Sequence, residues 1–317
     1  MSLGEFDLIE RYFSRGTARR DVLLGVGDDA ALLEVPAGRA LVAATDTLVE
    51  GRHFLHGAPP ESVGHQALAV NLSDLAAMGA EPAWALLSLS LPESDEAWLG
   101  PFARGLYALA EDNGVALVGG DTVRGPRVVT VTALGLVEPA LALRRSGARP
   151  GDLLYVSGWP GEAAAGLEAL RRTGRPEAGD ALARRYLFAQ PRVALGRALR
   201  GLASAAMDVS DGLLGDLRKL CAASGAGARL DLPRLPVSGE LARRHGPADC
   251  ERFVLCGGDD YELLFAVPAS DAARVSAAAP AGLPLHCIGE VEAEPGVRCV
   301  RDGRVVSIGQ GGYDHFA

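Results

Sequence analysis

The stretch NLSDLAAMGA, residues 71–80, closes a helical pattern that begins near Pro60 and carries Val63, Ala67, Val70, Leu75 and Met78 before stopping at Gly79. Proline suits a first helical turn and glycine a helix end, so the chain itself marks both limits. Asn71 and Asp74, three residues apart, fall on one face of this otherwise apolar helix. A carboxylate there has two readings: a solvated or capping Asp, or a metal ligand on a rigid element. Burial without a partner would be costly, so the choice depends on what the rest of the chain brings.

The chain has 317 residues, 48% hydrophobic and 22% charged, with a formal net charge of -9. That length suits two domains of ordinary size, and the composition that of a packed globular protein. The negative balance argues against a nucleic-acid or anionic-membrane surface, so phosphate groups, if bound, need cations between them and the protein. Lys219 is the only lysine, and the five cysteines (Cys221, Cys250, Cys256, Cys287, Cys299) have no C-x-x-C spacing. Their odd number predicts reduced thiols in a cytoplasmic protein. The N-terminus shows no secretory pattern, and the apolar run from Ala83 to Leu91 is too short to span a bilayer.

Both halves mix strands and helices, which predicts an α/β (α+β) architecture of mixed sheets flanked by helices. In the first half, residues 4–15 read as an amphipathic helix presenting Phe6, Ile9, Tyr12 and Phe13. Strands follow at 22–26, 32–35 and 40–45, the last ending on Asp46. Further strands are predicted at 84–91, 115–118 and 128–137, and a helix at 101–113. The turn-rich stretch 139–150 marks a boundary between domains at 1–140 and 148–317. The second half reads as strand 152–157, helices to about 172, near 181–188 and near 192–202, and strand 205–209 with a helix to about Ser224. A loop flanked by apolar strands follows at 253–267, then an Ala-rich helix at 271–279.

Asp28, Asp29, Asp46, Asp74, Asp121, Asp208, Asp211, Asp259, Asp260 and Glu262 mostly sit beside Gly, Ser or Thr at the ends of apolar runs. Any one of them reads as an ordinary turn or cap residue. Together, crowded at one sheet end, they would repel one another unless divalent cations neutralised them. Hard oxygen donors with no His or Cys cluster suit Mg2+, which keeps positions for water and for substrate phosphates. Neither G-x-x-x-x-G-K-[ST] nor G-x-G-x-x-G occurs, and protein-kinase signatures are absent. Metals, Arg144 or Arg145, and the backbone amides around Gly119 and Gly120 are left to meet phosphate charge.

The ordered set GEFDLI (4–9), GDDAA (27–31), TDTLVEGRHF (45–54), NLSDLAAMGA (71–80), GGDT (119–122), DVSDGL (208–213), GGDDYELLF (257–265) and GYDHF (312–316) resembles the thiamine-monophosphate kinases, from the first helix to the last residues. These lie within the wider aminoimidazole-ribonucleotide synthetase superfamily, and the resemblance implies its two-domain architecture. It further implies a homodimer paired through the N-terminal domain, and a C-terminal domain that completes the nucleotide and substrate site. Position by position, Asp29, Thr45, Asp46, Asp74, Asp121, Asp208 and Asp211 resemble the Mg2+ ligands, with Asp28 assisting. Asp46, Asp74 and Asp208 stand closest to catalysis. Gly120, Asp121, Arg145 and Ser210 resemble the ATP contacts, and His53, Glu262 and Tyr313 those to thiamine monophosphate. An aromatic ring and a carboxylate suit a cationic thiazolium. The family's nucleotide-contacting Tyr falls here on Arg104, with Tyr107 one turn later.

The activity implied is ATP-dependent phosphorylation of thiamine monophosphate to thiamine diphosphate by in-line transfer. A phosphate monoester has a second pKa of about 6 and needs no strong base at neutral pH, which leaves positioning and charge neutralisation to supply the rate. Another ATP-using synthetase of the superfamily is the alternative within it. Selenide chemistry would want an N-terminal Cys and the hydrogenase-maturation relative a C-terminal one, and neither is present. A Mg2+-dependent phosphohydrolase or a non-catalytic nucleotide-binding protein would use the same acids differently.

Overall fold

The computed structural model describes residues 4–17, 19–174 and 180–308. It divides into two compact units. One comprises the residues up to Leu75 with Ala80–Ala140, the other Ala76–Gly79 with the residues from Leu141 onward.

The first unit runs α1 (Glu5–Phe13), β1 (Val22–Leu24), β2 (Leu32–Leu33), β3 (Ala40–Val49), α2 (Pro60–Ala77, whose last residues fall in the second unit), β4 (Glu81–Leu91), α3 (Glu96–Asp112), β5 (Ala116–Arg124) and β6 (Val128–Val137). Its four-stranded sheet has the order β3-β6-β4-β5, antiparallel except for the β4–β5 pair. Because strand side chains alternate between faces, this sheet has two unlike sides. One side is dry: Leu48, Ala85, Leu87, Leu89, Val129 and Val131 are all buried. Leu68 of α2 and Leu106 of α3 converge with Ala85 and Val131 around one small cavity on this side. The two helices cross where a side chain would not fit: a Cβ on Gly64 would lie 2.0 Å from the Phe102 oxygen, and one on Gly105 1.9 Å from the Glu61 oxygen.

Helix α2 is buried nearly all round, with Leu68, Ala69, Leu72, Leu75 and Ala76 at most 1% exposed. It is therefore a central helix and not an amphipathic surface one. Asn71, fully buried, donates from Nδ2 to the Ala67 oxygen of the preceding turn. The other side of the sheet is partly covered, where Val22, Ala31 and Leu33 pack on Ala83, Trp84, Val118 and Leu136. Elsewhere it is open: Leu41 and Leu86 are exposed, and Thr45 and Thr47 pair with Thr132 and Thr130 through hydroxyl hydrogen bonds of 3.0 and 2.9 Å.

Several sequence-level boundaries move. Strand β3 continues through Val49, so Asp46 lies mid-strand and not at a strand end. GGDT belongs to β5, paired beside β4, and is not a loop after a shorter strand. Helix α3 begins at Glu96, capped by Asp95, which accepts from the Ala97 amide, with Pro101 inside it. In α1, Leu8 and Phe13 are buried, whereas Phe6, expected to pack, is 83% exposed.

The second unit contains β7 (Leu153–Ser157), α4 (Glu162–Thr173), α5 (Ala181–Leu187), α6 (Val193–Ala198), β8 (Ala205–Val209), α7 (Leu213–Ser224), β9 (Gly227–Asp231), α8 (Gly239–Arg244), α9 (Pro247–Cys256), β10 (Glu262–Val267), α10 (Ala272–Ala278), β11 (Leu285–Glu292), β12 (Gly296–Arg301) and β13 (Arg304–Val306). Seven strands form one mixed sheet in the order β13-β12-β9-β11-β7-β10-β8. Leu213, Leu214, Leu217 and Leu220 of α7 join Leu154, Val156, Met207, Leu230 and Leu264 of the strands in its core. The apolar run Phe253–Cys256, read from sequence as a strand, is the last turn of α9. Short apolar runs fit either period, and here the helix that starts at Pro247 decides.

Candidate active site

Asp46 projects from β3 onto the helix-covered side of its sheet, where its carboxyl group interacts with the side chain of Asp74 on α2. Burial pushes the Asp46 carboxyl above its usual range, and the contact with Asp74 pulls the other way. Two neighbouring carboxyl groups repel when both are ionised, and a shared proton or cation relieves that repulsion. Thr45, one residue earlier, faces the open side, where its hydroxyl bonds Thr132 and the Val131 oxygen. Thr45 and Asp46 side chains therefore cannot ligate the same point.

Asp121, opposite Ser88 in the β4–β5 register, also faces the open side. There a cleft of about 1030 Å³ brings Asp121, Gly119 and Gly120 together with Asp28 and Asp29 of the loop after β1. The Asp28 carboxylate accepts the Asp29 amide at 2.8 Å. Gly120 has no room for a side chain, because a Cβ would lie 1.8 Å from the Leu87 oxygen. The backbone is thus bare where it meets the cleft. His53, in the turn after β3, accepts the Val49 amide on Nδ1 at 3.0 Å, which leaves Nε2 to carry the ring proton. Tyr107 is buried and donates to the Phe13 oxygen, so it belongs to the packing of α1 on α3, while Arg104 is exposed.

In the second unit, Asp208 is buried at the end of β8, and Ser210 and Asp211 follow in the loop that enters α7. Asp216, fully buried in the first turn of α7, accepts the amides of both Ser210 and Asp211 at 3.0 Å. Lys219 bridges Asp216 (2.8 Å) and Asp211 (2.6 Å). Those two carboxylates hold its ammonium group above the usual lysine range despite partial burial. Sequence reading marks Lys219 only as the single lysine and gives neither residue a place in the site, although an acid in a helix's first turn and a lysine three residues on is a visible signal. Arg145 is exposed, with its carbonyl accepting the Ser224 hydroxyl.

Glu262 opens β10 and is 0% exposed. It accepts from Ser157 Oγ (2.6 Å), Arg185 (2.8 Å) and Arg192 (2.6 Å to Nε, with a second contact to the same guanidinium). Burial alone would raise its pKa; Arg192 and Arg185 hold it below the usual range. A cavity of about 420 Å³, lined in part by Trp159, Glu162, Arg185 and Arg192, lies beside it. No local spacing announces these arginines, which stand 77 and 70 residues from Glu262 in sequence. Asp260 accepts the Gly161 and Ala163 amides at the start of α4, and Asp259 has its pKa raised to about 6, chiefly by burial. Tyr313 lies outside the described residues.

Among the described residues, no three His, Cys, Asp or Glu side chains converge closely enough to hold a metal ion unaided. The donors nevertheless fit Mg2+: they are carboxylates, and Asp46 and Asp74 form a pair that calls for a shared positive charge. Mg2+ takes few protein ligands and completes its shell with water and phosphate oxygens.

Residues 27–137 match the AIR synthase related protein, N-terminal domain, and residues 149–302 the corresponding C-terminal domain. The thiamine-monophosphate kinase of Escherichia coli K12 is 49% identical, over 100% of this chain and 99% of that protein. That of Bacillus subtilis is 35% identical over 99% and 100%. Among solved structures, thiamine-monophosphate kinase from Stenotrophomonas maltophilia K279a superposes with a TM-score of 0.88 at 45% identity, covering 96% of this chain and 99% of that one. AaThiL complexed with AMPPCP and TMP gives 0.78 at 34%, covering 100% and 99%. The hydrogenase maturation protein HypE, in a complex with ATP, shares the fold at 21% identity, with a TM-score of 0.76 over 96% of this chain and 93% of that one. With the synthetase-related domains matched in both halves and the relatives matched end to end, the chain belongs to the thiamine-monophosphate kinase family.

Proposed function

We propose that this protein transfers the γ-phosphoryl group of ATP to thiamine monophosphate, yielding thiamine diphosphate and ADP. The observation that carries the reading is the end-to-end match to a relative whose structure holds AMPPCP and TMP together. The local geometry supports it.

Bound Mg2+ would bridge and neutralise the phosphate oxygens of two anions that otherwise repel. Asp46 and Asp74 are the first candidates to hold it, since their side chains interact between a strand and a central helix. Asp29 and Asp121, lining one cleft with Gly120, offer further carboxylates and a bare backbone to a polyphosphate. Ser210 and Asp211 sit in a loop whose amides are fixed from below by Asp216. With Arg145, they are the second unit's candidates for the nucleotide, and Asp208 and Asp211 its candidates for metal. His53, Glu262 and Tyr313 remain the candidates for thiamine monophosphate. Trp159 adds an aromatic wall next to Glu262, suited to a cationic heterocycle. The attacking phosphate is largely deprotonated near neutral pH, so these residues need only place two oxygens in line and hold charge.

The β3 edge of the open sheet side, where Leu41 is exposed, is the surface we assign to a homodimer. Among the described residues no helix is long and apolar enough to cross a membrane, and a cytoplasmic setting suits the five cysteines, none of them in a disulfide.

Incubating the purified protein with ATP, Mg2+ and thiamine monophosphate should give thiamine diphosphate and stoichiometric ADP. Phosphate release without thiamine monophosphate would point to a hydrolase, and AMP to a synthetase.

A further inference from the structure

Lys219 is the only lysine in the chain, and its ammonium group lies 2.6 Å from Asp211, a candidate metal ligand. An exposed ion pair of this kind usually contributes little and breaks easily. This one has an anchor. The same ammonium is 2.8 Å from Asp216, whose side chain is 0% exposed. If Lys219 swung away, the buried Asp216 carboxylate would keep two backbone amides but lose its countercharge, which is unfavourable in a dry setting. Lys219 is therefore held in place from below while Asp211, 33% exposed, meets solvent above.

We propose that Lys219 is a fixed counter-ion of Asp211, and that it makes divalent-cation binding at Asp211 depend on the nucleotide. This rests on the reading of Asp211 as a metal ligand for ATP. In the nucleotide-free protein, the carboxylate of Asp211 already faces the ammonium of Lys219, which is 44% exposed but tied to the buried Asp216, and a second cation arriving there is repelled. The polyphosphate of ATP supplies the negative charge that offsets this repulsion, so cation and nucleotide enter together. Asp216 acts as a positioning residue: it fixes the Ser210 and Asp211 amides through one oxygen and Lys219 through the other. Neutral side chains at 216 and 219 would leave the fold of α7 possible but remove this charge ordering.

The test measures Mn2+ binding to the nucleotide-free protein at low ionic strength, by the electron paramagnetic resonance signal of free Mn2+. Lys219→Met should bind Mn2+ about threefold to tenfold more tightly than the wild type, the effect of removing one nearby charge in a partly solvated site. Lys219→Arg, which keeps the charge, should stay within about twofold of the wild type. In an Asp211→Asn background the gain from Lys219→Met should vanish, which assigns it to that carboxylate and not to Asp46 or Asp74. Thermal melting of each variant confirms that the fold is retained. Unchanged Mn2+ affinity in Lys219→Met, or a gain that survives Asp211→Asn, overturns the proposal. A weaker affinity for ATP with unchanged Mn2+ binding also overturns it, because Lys219 would then be a phosphate ligand. These isotherms contain no thiamine monophosphate; failure of the kinase reading would show instead as missing thiamine diphosphate with the wild-type protein.

Discussion

Asp46 on β3 and Asp74 on α2, both half-buried, interact side chain to side chain on the helix-covered side of the four-stranded sheet. Burial raises the Asp46 carboxyl above its usual range and its contact with Asp74 lowers it, and a cation placed between two such acids would relieve their repulsion. Asp74→Asn keeps the shape and removes a charge. Its expected result is a loss of kinase turnover of at least about 100-fold, the scale of a transition-state charge interaction, with little change in melting temperature in EDTA. Mg2+ should raise the melting temperature of the wild type through preferential binding to the folded state, and raise that of the variant much less. Near-normal turnover in Asp74→Asn would remove this pair from the metal site.

Glu262 is fully buried in the second unit, with Arg185, Arg192 and Ser157 closing on it. Removing one member of such a group strands the others, typically at about 3–5 kcal/mol. Glu262→Ala should therefore lower stability in urea by that order. Glu262→Gln, which keeps the shape and the Ser157 bond, should lose less. If Glu262→Ala melts like the wild type, the arginines are held by something else.

The architecture was legible from punctuation. Pro60, Gly79 and the β-branched run at 128–137 set elements that the structure keeps within a few residues. Where boundaries failed, a local signal was misweighted. Pro101 reads as a helix start because proline favours that position, yet Asp95 supplies the actual cap. From sequence the strand ends at Val118, yet β5 runs on through Gly119 and Gly120, and at Gly120 only a glycine lets it approach β4. The site acids were visible as a set, but not their grouping. Thr45 and Asp46 are adjacent in sequence and opposite in space because a strand alternates, a consequence that appears only once the strand is known to run on to Val49. Arg185 and Arg192 were out of reach altogether, since only the tertiary fold brings them to Glu262.

The two glycines of GGDT should respond differently to the same change. A Cβ at Gly119 would sit 3.1 Å from Leu86 Cδ2, the end of a side chain that can turn aside. At Gly120 it would sit 1.8 Å from the Leu87 backbone oxygen, which can move only if β4 and β5 separate. Gly119→Ala should cost less than about 1 kcal/mol, and Gly120→Ala about 3 kcal/mol or more, on the scale of overpacking and backbone strain. Denaturant unfolding of the two variants side by side checks the order, and equal losses would mean that the strand pair is more yielding than its geometry implies.

Asp259 gives a prediction about pH. Its folded-state pKa is raised to about 6, by burial first and by the Asp211 charge as well, with the Tyr261 hydroxyl opposing. The ordinary aspartate value is 3.8. Between those values the native protein binds more protons than the unfolded chain, so the contribution of Asp259 to stability falls as pH rises. It is fully favourable below about pH 4 and lost above about pH 6, a swing on the order of 1–3 kcal/mol after allowing for partial solvent access. Asp259→Asn mimics the protonated acid at every pH. Asparagine also tolerates the left-handed backbone at this position, where φ is 66°. Asp259→Asn should therefore match the wild type near pH 4 and exceed it above pH 6, as measured by urea unfolding across that range. A constant difference at all pH values would mean that packing, and not ionisation, sets the effect of residue 259.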